Sequence, residues 1–438
     1  MAKNISKSYL SVVLVFIYWI SYENTFFFEA GSFGPIAVFI ANFIKLVIPV
    51  VLILMNGIPK FPIKSHVFYY VFIFCLFIFY ALLPTLVSGD LVEYLKLFPR
   101  LIFFIAILKL FHKIENIVLL SKLIIGYVVF TFFQHVIGYT FRVLNIDLGV
   151  IEYGNLMWHG PLGVFGNLNI VTSFFGFPFI QLRGFWNEPS NASGAIFSTY
   201  FLVKFLNEYC DQKLPKFVIV VVLLAGFLTF SLIGFISFFV AFLYGVYFEY
   251  KRSRNFLKFI RYSPIFILLL LYIFSRSILA NGKNDNEFLL AITGAHKIVD
   301  KQDVDVSGGR FDVINGDIKT LQKYPFGIGV QNVIGKVQGI VPGNVIAENI
   351  SASAPIFWLV LTGYLGLFLL LLRDFFLFRV GWINTKYSKQ VQYLFQAFLC
   401  FFIQNLSYGT FMTGYYFILS GFVLAFIRKK NESNLVLR

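Results

Sequence analysis

The run Arg183-Gly-Phe-Trp-Asn-Glu-Pro-Ser-Asn-Ala-Ser-Gly194 gathers the residues best suited to handling an anionic substrate. The guanidinium of Arg183 is a fixed cation whose fork matches a phosphate. Pro189 suits the first turn of a helix, and Asn187, Ser190 or Asn191 can cap it. The orphan backbone N–H groups of such a helix start, together with its dipole, favour an anion. Glu188 can take the proton of a sugar hydroxyl, or it can simply pair with Arg183. The plainer alternative for the whole run is a helix cap with a local salt bridge. Trp158 and Trp186 are candidate platforms for a sugar ring, with membrane-interface anchoring as the competing use.

A second group follows in Ser307-Gly-Gly-Arg310-Phe-Asp312 and Tyr324-Pro-Phe-Gly327-Ile-Gly329-Val-Gln-Asn332. Gly308 and Gly309 let the backbone approach a ligand closely. Asp312 is near enough to Arg310 for a local ion pair, and the turn around Pro325, Gly327 and Gly329 serves equally well as scaffold. Glu348-Asn349-Ile350-Ser351 adds a polar cluster. Lys45 and Arg100 are cations within or beside apolar runs, where isolated charge is costly. They could face a lipid-diphosphate cavity, against snorkelling for Arg100 and an ion pair for Lys45.

What must position these residues is a membrane. The 438 residues are 58% hydrophobic, 20% aromatic and 13% charged, with 58 Phe. Soluble domains hold about 45–50% apolar and about 25% charged residues. A cytosolic enzyme, a secreted domain and a disordered scaffold are thereby excluded. The expected fold is an all-α polytopic integral membrane protein with about twelve transmembrane helices. They are expected near Ser8–Ile20, Gly34–Met55, Val67–Val87, Phe98–Phe111, Ile117–Ile137, Ala192–Leu206, Phe217–Phe230, Leu232–Phe248, Pro264–Ser277, Ser353–Leu372, Val391–Gln404 and Phe411–Ile427. The stretch 217–248 is too long for one ordinary span, and Ser231 with Gly234 offers the place to break it.

The net charge of +15 is an orientation signal, not a nucleic-acid footprint. Lys3/Lys7, Lys60/Lys64, Lys109/Lys113, Lys213/Lys216, Lys251–Arg261, Arg373/Arg379/Lys386/Lys389 and Arg428–Lys430 fall at every second inter-span position. The positive-inside rule makes that face cytoplasmic and puts both termini inside. The N-terminal run reads as a retained first span. Lys96 is the basic exception on the other face. The chain reads as one membrane domain, 1–438, with two large outer (periplasmic) loops at 138–191 and 280–352, too long for mere connectors. Cys75, Cys210 and Cys400 form neither a disulfide framework nor a metal pattern. No nucleotide-binding fingerprint, metal helix or internal repeat is present.

The Arg…Gly-Phe-x-x-Glu-Pro-Ser segment before a span, its Arg-x(10)-Gly spacing, and the Ser-Gly-Gly-Arg-Phe and Tyr-Pro-Phe-Gly-Ile-Gly runs resemble the bacterial O-antigen polymerase (Wzy-type) and O-antigen ligase superfamily. In layout the resemblance covers nearly the whole chain; in motifs, only these two segments. Leu321 stands where a second Arg-x(10)-Gly would put glycine. Glu348-Asn349 occupies the place where ligases carry a His-Asn pair, and His66, His112, His135, His159 and His296 are scattered, which favours polymerase over ligase. The resemblance implies polymerisation of undecaprenyl-diphosphate-linked oligosaccharides into O-antigen or a related surface polysaccharide at the outer, periplasmic face of the inner (cytoplasmic) membrane of a bacterium. Arg183 and Arg310 would hold or stabilise the diphosphate, and Glu188 or Glu348 would act as base. Trp186, Asn187, Ser190, Gly194, Gly309, Asn349, Lys45 and Arg100 would line the substrate. No cofactor is required, since a diphosphate leaves once its charge is stabilised, and neither ATP nor a metal is obligatory. Membrane lipid, a chain-length regulator and a flippase are the implied partners. The competing classes are ligase and flippase; a flippase would show charge-lined spans and paired halves.

Overall fold

A computed structural model of the chain describes residues 2–23, 34–59, 65–143, 170–174, 177–180, 182, 189–229, 231–253, 310–330, 354–407 and 411–436. Helices stand where the apolar runs are: α1 Ala2–Glu23, α2 Gly34–Asn56, α3 His66–Ser88, α4 Leu91–Leu95, α5 Leu97–Leu110 and α6 Ile114–Val143. They continue as α7 Pro189–Tyr209, α8 Lys216–Leu228, α9 Leu232–Ser253, α10 Arg310–Lys323, α11 Ala354–Thr385, α12 Lys389–Ser407 and α13 Gly414–Val436. The expected span Pro264–Ser277 lies outside the described residues. The break between α8 and α9 falls at the expected place, with Thr229 closing α8 and the Ser231 hydroxyl accepting from the Gly234 N–H at 3.3 Å.

One element departs from an all-helical chain. β1 (Ile170–Phe174) and β2 (Phe177–Ile180) pair antiparallel within the first long loop, Ile170 opposite Ile180 and Phe174 opposite Phe177. The sequence alternates too weakly there to announce strands. α6 also continues to Val143, past the expected start of that loop at Gly138.

Four described helical segments are long and apolar enough to cross a membrane: His66–Val87, Ile114–Ile137, Ile233–Ser253 and Ala354–Thr385. Lys7–Ser21, Asn42–Asn56 and Lys216–Leu228 are shorter apolar helices. On α3 the exposed side chains Tyr69, Phe72, Leu76, Phe79, Leu83 and Leu86 recur every three or four residues. One face of that helix is therefore an apolar stripe, a surface suited to lipid and not to water. The chain is an α-helical membrane protein. Its inner helices are built differently: α7, α12 and α13 are buried almost throughout and carry Ser193, Ser198, Thr199, Gln392, Gln396, Gln404, Asn405 and Ser420 inside the bundle. Polar residues are tolerated there because protein, and not lipid, surrounds them.

Contacts sort the helix ends into two rims. At one, Ser8 Oγ donates to Asn116 Oδ1 at 2.7 Å, Lys389 Nζ lies 3.7 Å from Glu208 Oε1, and Phe426 packs edge-on against Phe205. This rim carries Lys7, Lys109, Lys113, Lys213, Lys216, Lys251, Arg252, Arg379, Lys386, Lys389 and Arg428. At the other rim, Trp19 stacks on Tyr415 with ring centroids 5.0 Å apart, and Lys96 is matched by Glu93 at 2.6 Å.

Arg373 corrects the orientation reading. It is not an inter-span cation but a fully buried residue in the middle of α11. The helix expected to stop at Leu372 runs on to Thr385, because the charge beside its apolar run is matched by the next residue, Asp374.

α11 is broken at Gly363, whose φ of 67° and ψ of −173° no helix contains. The segment Tyr324–Val330 fills the break. The N–H of Ile328 donates to Val360 O at 3.0 Å and that of Gly329 to Leu361 O at 2.9 Å, carbonyls whose helical partners lie past the break. Val330 then ties the segment to the end of α3: its N–H donates to Thr85 Oγ1 at 3.0 Å and its carbonyl accepts from the Asp90 N–H at 2.8 Å. A side chain at Gly363 would run into Pro325 O and the Phe326 backbone. Gly57 also has positive φ, 75°, but open space around it. Gly57→Ala should therefore cost only the intrinsic penalty of about 1 kcal/mol, whereas Gly363→Ala should lower the melting temperature of the purified protein by several degrees more. Equal losses would contradict the docking of 324–330 into α11.

Candidate functional site

The first motif-bearing segment leads into α7 at the rim opposite the cationic one, and the second leads into α10, whose far end is clamped at that rim. α7 begins at Pro189, the proline-first start that the sequence favours. Ser190 and Asn191 thus lie inside the first turn and are not the N-cap, because a cap precedes the first helical residue. The chain before α7 is anchored at Leu182, which is fully buried and whose N–H donates to Leu228 O at 2.7 Å, at the end of α8. Arg183, Trp186, Asn187 and Glu188, between these two anchors, lie outside the described residues, as do Trp158, Gly309, Glu348 and Asn349.

Gly194 has a packing reason. It is buried where α7 meets α12, and a side chain there would strike Gln404. One residue earlier, Ser193 fills the space that the absent side chain of Gly234 leaves on α9. Farther down α7, Ser198 Oγ and Tyr415 OH share a hydrogen bond of 2.8 Å, joining α7 to α13. The Arg-x(10)-Gly spacing thus ends on a close contact between helices, which accounts for the glycine without a ligand.

Arg310 is the first residue of α10. That helix packs on α11, with Asp317, Thr320 and Leu321 buried and Ile318, Lys319 and Lys323 on its outer side. Leu321, which stands where a repeat of the spacing would need glycine, is a core residue of this contact. α10 and the Tyr324–Val330 segment are consequently one rigid unit: the helix carries Arg310 at its start and is clamped onto broken α11 at its end. The Tyr-Pro-Phe-Gly-Ile-Gly run is scaffold: its hydrogen bonds to α11 are made by backbone, and the Ile328 side chain is buried in the core.

Lys45 and Arg100 are half-buried on α2 and α5, two helices that pack against each other. They belong to one helix pair. The structure therefore places the start of α7 and the clamped end of α10 at one rim, while Lys45 and Arg100 belong to the α2–α5 helix pair. Among the described residues no three His, Cys, Asp or Glu side chains cluster so as to hold a metal ion. Cys75 and Cys210 are half-buried free thiols, and Cys400 is fully enclosed.

Sequence reasoning missed the buried charge centre below this rim. Arg373 Nε donates to Asp374 Oδ1 at 2.8 Å and Nη2 to Phe411 O at 3.3 Å. Its guanidinium sits 5.3 Å from the ring centroids of Tyr70, Phe74 and Tyr416. Aromatic faces and one carboxylate replace water around the cation, linking α3, α11 and α13. The adjacent Asp374 was the available signal, since an Arg-Asp pair inside an apolar run can be neutral overall.

The chain matches no protein-family model, and no curated protein or solved structure is significantly similar to it.

Removing one partner of a buried ion pair costs about 3–5 kcal/mol, whereas apolar replacement of both is often nearly neutral. Arg373→Leu and Asp374→Leu should each lower the thermal stability of the purified protein strongly, and the double variant less than either. A double variant as unstable as the sum of the two would show that the pair is not the stabilising unit.

Proposed function

We propose that this protein polymerises oligosaccharide repeat units carried on undecaprenyl diphosphate, at the outer face of a bacterial inner membrane. The glycan's anomeric carbon exchanges its bond to the diphosphate for one to a hydroxyl of the acceptor unit. The acceptor proton passes to a carboxylate, Glu188 or Glu348, and the lipid diphosphate departs with its charge matched by Arg183 and Arg310. Trp186 and Asn187 flank the sugars, and Ser190 lies at the mouth of α7.

What supports this reading is that the described ends adjoining the two motif-bearing segments, the start of α7 and the Tyr324–Val330 clamp, lie at the same rim. Leu182, bonded to Leu228 O, and Pro189, the first residue of α7, are the described chain neighbours of Arg183–Glu188 and lie at the rim away from the cationic one, and α10, which begins at Arg310, is tied at its other end to that rim through Val330. If the cationic rim faces the cytoplasm, as the positive-inside rule requires, both segments meet substrate on the outer side. Anchored segments also suit a reaction in which positioning and charge stabilisation supply most of the rate.

The test is the size of surface polysaccharide in a strain lacking the gene. A ladder reduced to a single repeat unit is expected, and complementation with Arg183→Ala or Arg310→Ala should restore polymer about 10²–10³-fold more slowly than the parent gene. An unchanged ladder would overturn the reading. Long chains retained on the lipid carrier would assign a ligase, and failure of lipid-linked units to reach the outer face a flippase.

A further inference from the structure

No Asp, Glu, Lys or Arg occurs from Tyr153 to Leu182, whereas the other long loop carries both signs closely spaced, as in Lys297, Asp300, Lys301, Asp303 and Asp305. The β1–β2 hairpin forms inside this uncharged stretch. We propose that the hairpin lies in the outer leaflet of the bilayer, where hydrocarbon meets headgroups, with lipid as its partner. The inference concerns how the chain before Arg183 meets the membrane and does not rest on the polymerase reading.

The register shows what the two faces are made of. Cross-strand partners share a face, and successive residues alternate. Thr172 with Phe179 and Phe174 with Phe177 stand on one face; Ser173 with Pro178 and Ile170 with Ile180 stand on the other. A sheet with one face on protein and one in water alternates apolar with polar residues. Here one face carries three Phe and the other two Ile, and the polar residues are an uncharged Thr and Ser. Neither composition suits bulk water, and a lone hairpin in water is marginal in any case.

Depth follows from α8. It has 13 residues and begins at Lys216 on the cationic rim. At ~1.5 Å per residue it is about 20 Å long, roughly 10 Å short of crossing a ~30 Å hydrocarbon core. Leu228 O, at its far end, accepts from the N–H of fully buried Leu182 at 2.7 Å. Ile180, the end of β2, comes two residues before Leu182, a stretch of chain that spans at most ~7 Å. The end of β2 is thereby held at or below the headgroup level.

The neighbours of the hairpin already face lipid. β2 contacts α6, one of the four spans, whose outer half exposes Phe133, Val136 and Ile137. α8 exposes Leu224 and Phe227 next to Leu228. The backbone limits how deep the hairpin can go: its two strands satisfy each other, but a two-stranded sheet keeps open edges, which hydrocarbon does not tolerate. The interface, apolar on one side and reached by water on the other, meets both requirements.

The test is the depth of a nitroxide on the hairpin of the full-length protein, in nanodiscs of phosphatidylethanolamine and phosphatidylglycerol. Half-buried Cys75 and Cys210 are replaced by alanine, and the enclosed Cys400 is kept. Labels go on Ser173→Cys and Phe177→Cys, one for each face, with Phe133→Cys as the lipid reference and Tyr387→Cys as the water reference. Oxygen concentrates in lipid and a nickel chelate in water, so the ratio of their collision rates reads the surroundings of each label. On at least one face of the hairpin the ratio should stand several-fold above that of Tyr387→Cys and approach that of Phe133→Cys. Absence of an oxygen-dominated site on either face would overturn the proposal: labels reached by the chelate put the hairpin in water, and labels reached by neither reagent pack it against protein. Thr172→Cys, on the same face, replaces Phe177→Cys if loss of the ring lowers the melting temperature.

Discussion

Inside a bilayer no water is at hand to satisfy a backbone carbonyl, so a helix can be broken there only if protein supplies the missing donors. The break of α11 at Gly363 obeys that constraint. Ile328 and Gly329 deliver their N–H groups to Val360 and Leu361, and the same short segment continues to Thr85 and Asp90 on the other side. Much of the outer rim depends on this clamp. It fixes α10 against α11, joins both to α3, and gives the second long loop one defined exit from the bundle. Gly327, Gly329 and Gly363 are required there because the backbones approach too closely for a side chain, and all three have positive φ.

The rest of the bundle follows a division of labour. Outer helices such as α3 and α8 present apolar stripes, and their side chains need no partner. Inner helices α7, α12 and α13 use amides and hydroxyls to hold one another, as Ser198 does with Tyr415 and Gln396 with the carbonyl of Ala241. Arg373 and Asp374 extend this logic to full charges, with three aromatic rings completing the shell around the guanidinium. The result is a rigid interior carrying two chemically different rims, one cationic and one holding the start of α7 and the clamp.

The helices were legible in the sequence because an apolar run bounded by charge or glycine has few other uses. Even the break at Ser231 could be placed, since 217–248 suits neither one ordinary span nor two. Arg373 was misread for the same reason: a basic residue after an apolar run looks like a stop, and only its neighbour Asp374 hints otherwise. The clamp was not legible. Its bonds are made by backbone, the Thr85 hydroxyl apart, which leaves little side-chain signature beyond glycines that any turn would also use. Gly194 illustrates the converse, a residue singled out by spacing whose smallness is explained by Gln404.

The account stands on the two rims facing opposite sides of the membrane, and cysteine labelling in intact cells tests that most directly. Phe326 lies on the clamp and is 72% exposed, while Tyr387 lies at the cationic rim and is 75% exposed. A membrane-impermeant maleimide should label Phe326→Cys in intact cells and Tyr387→Cys only after permeabilisation. Labelling of Tyr387→Cys from outside, with Phe326→Cys protected until the membrane is opened, would invert the orientation and remove the arginine segments from the outer face.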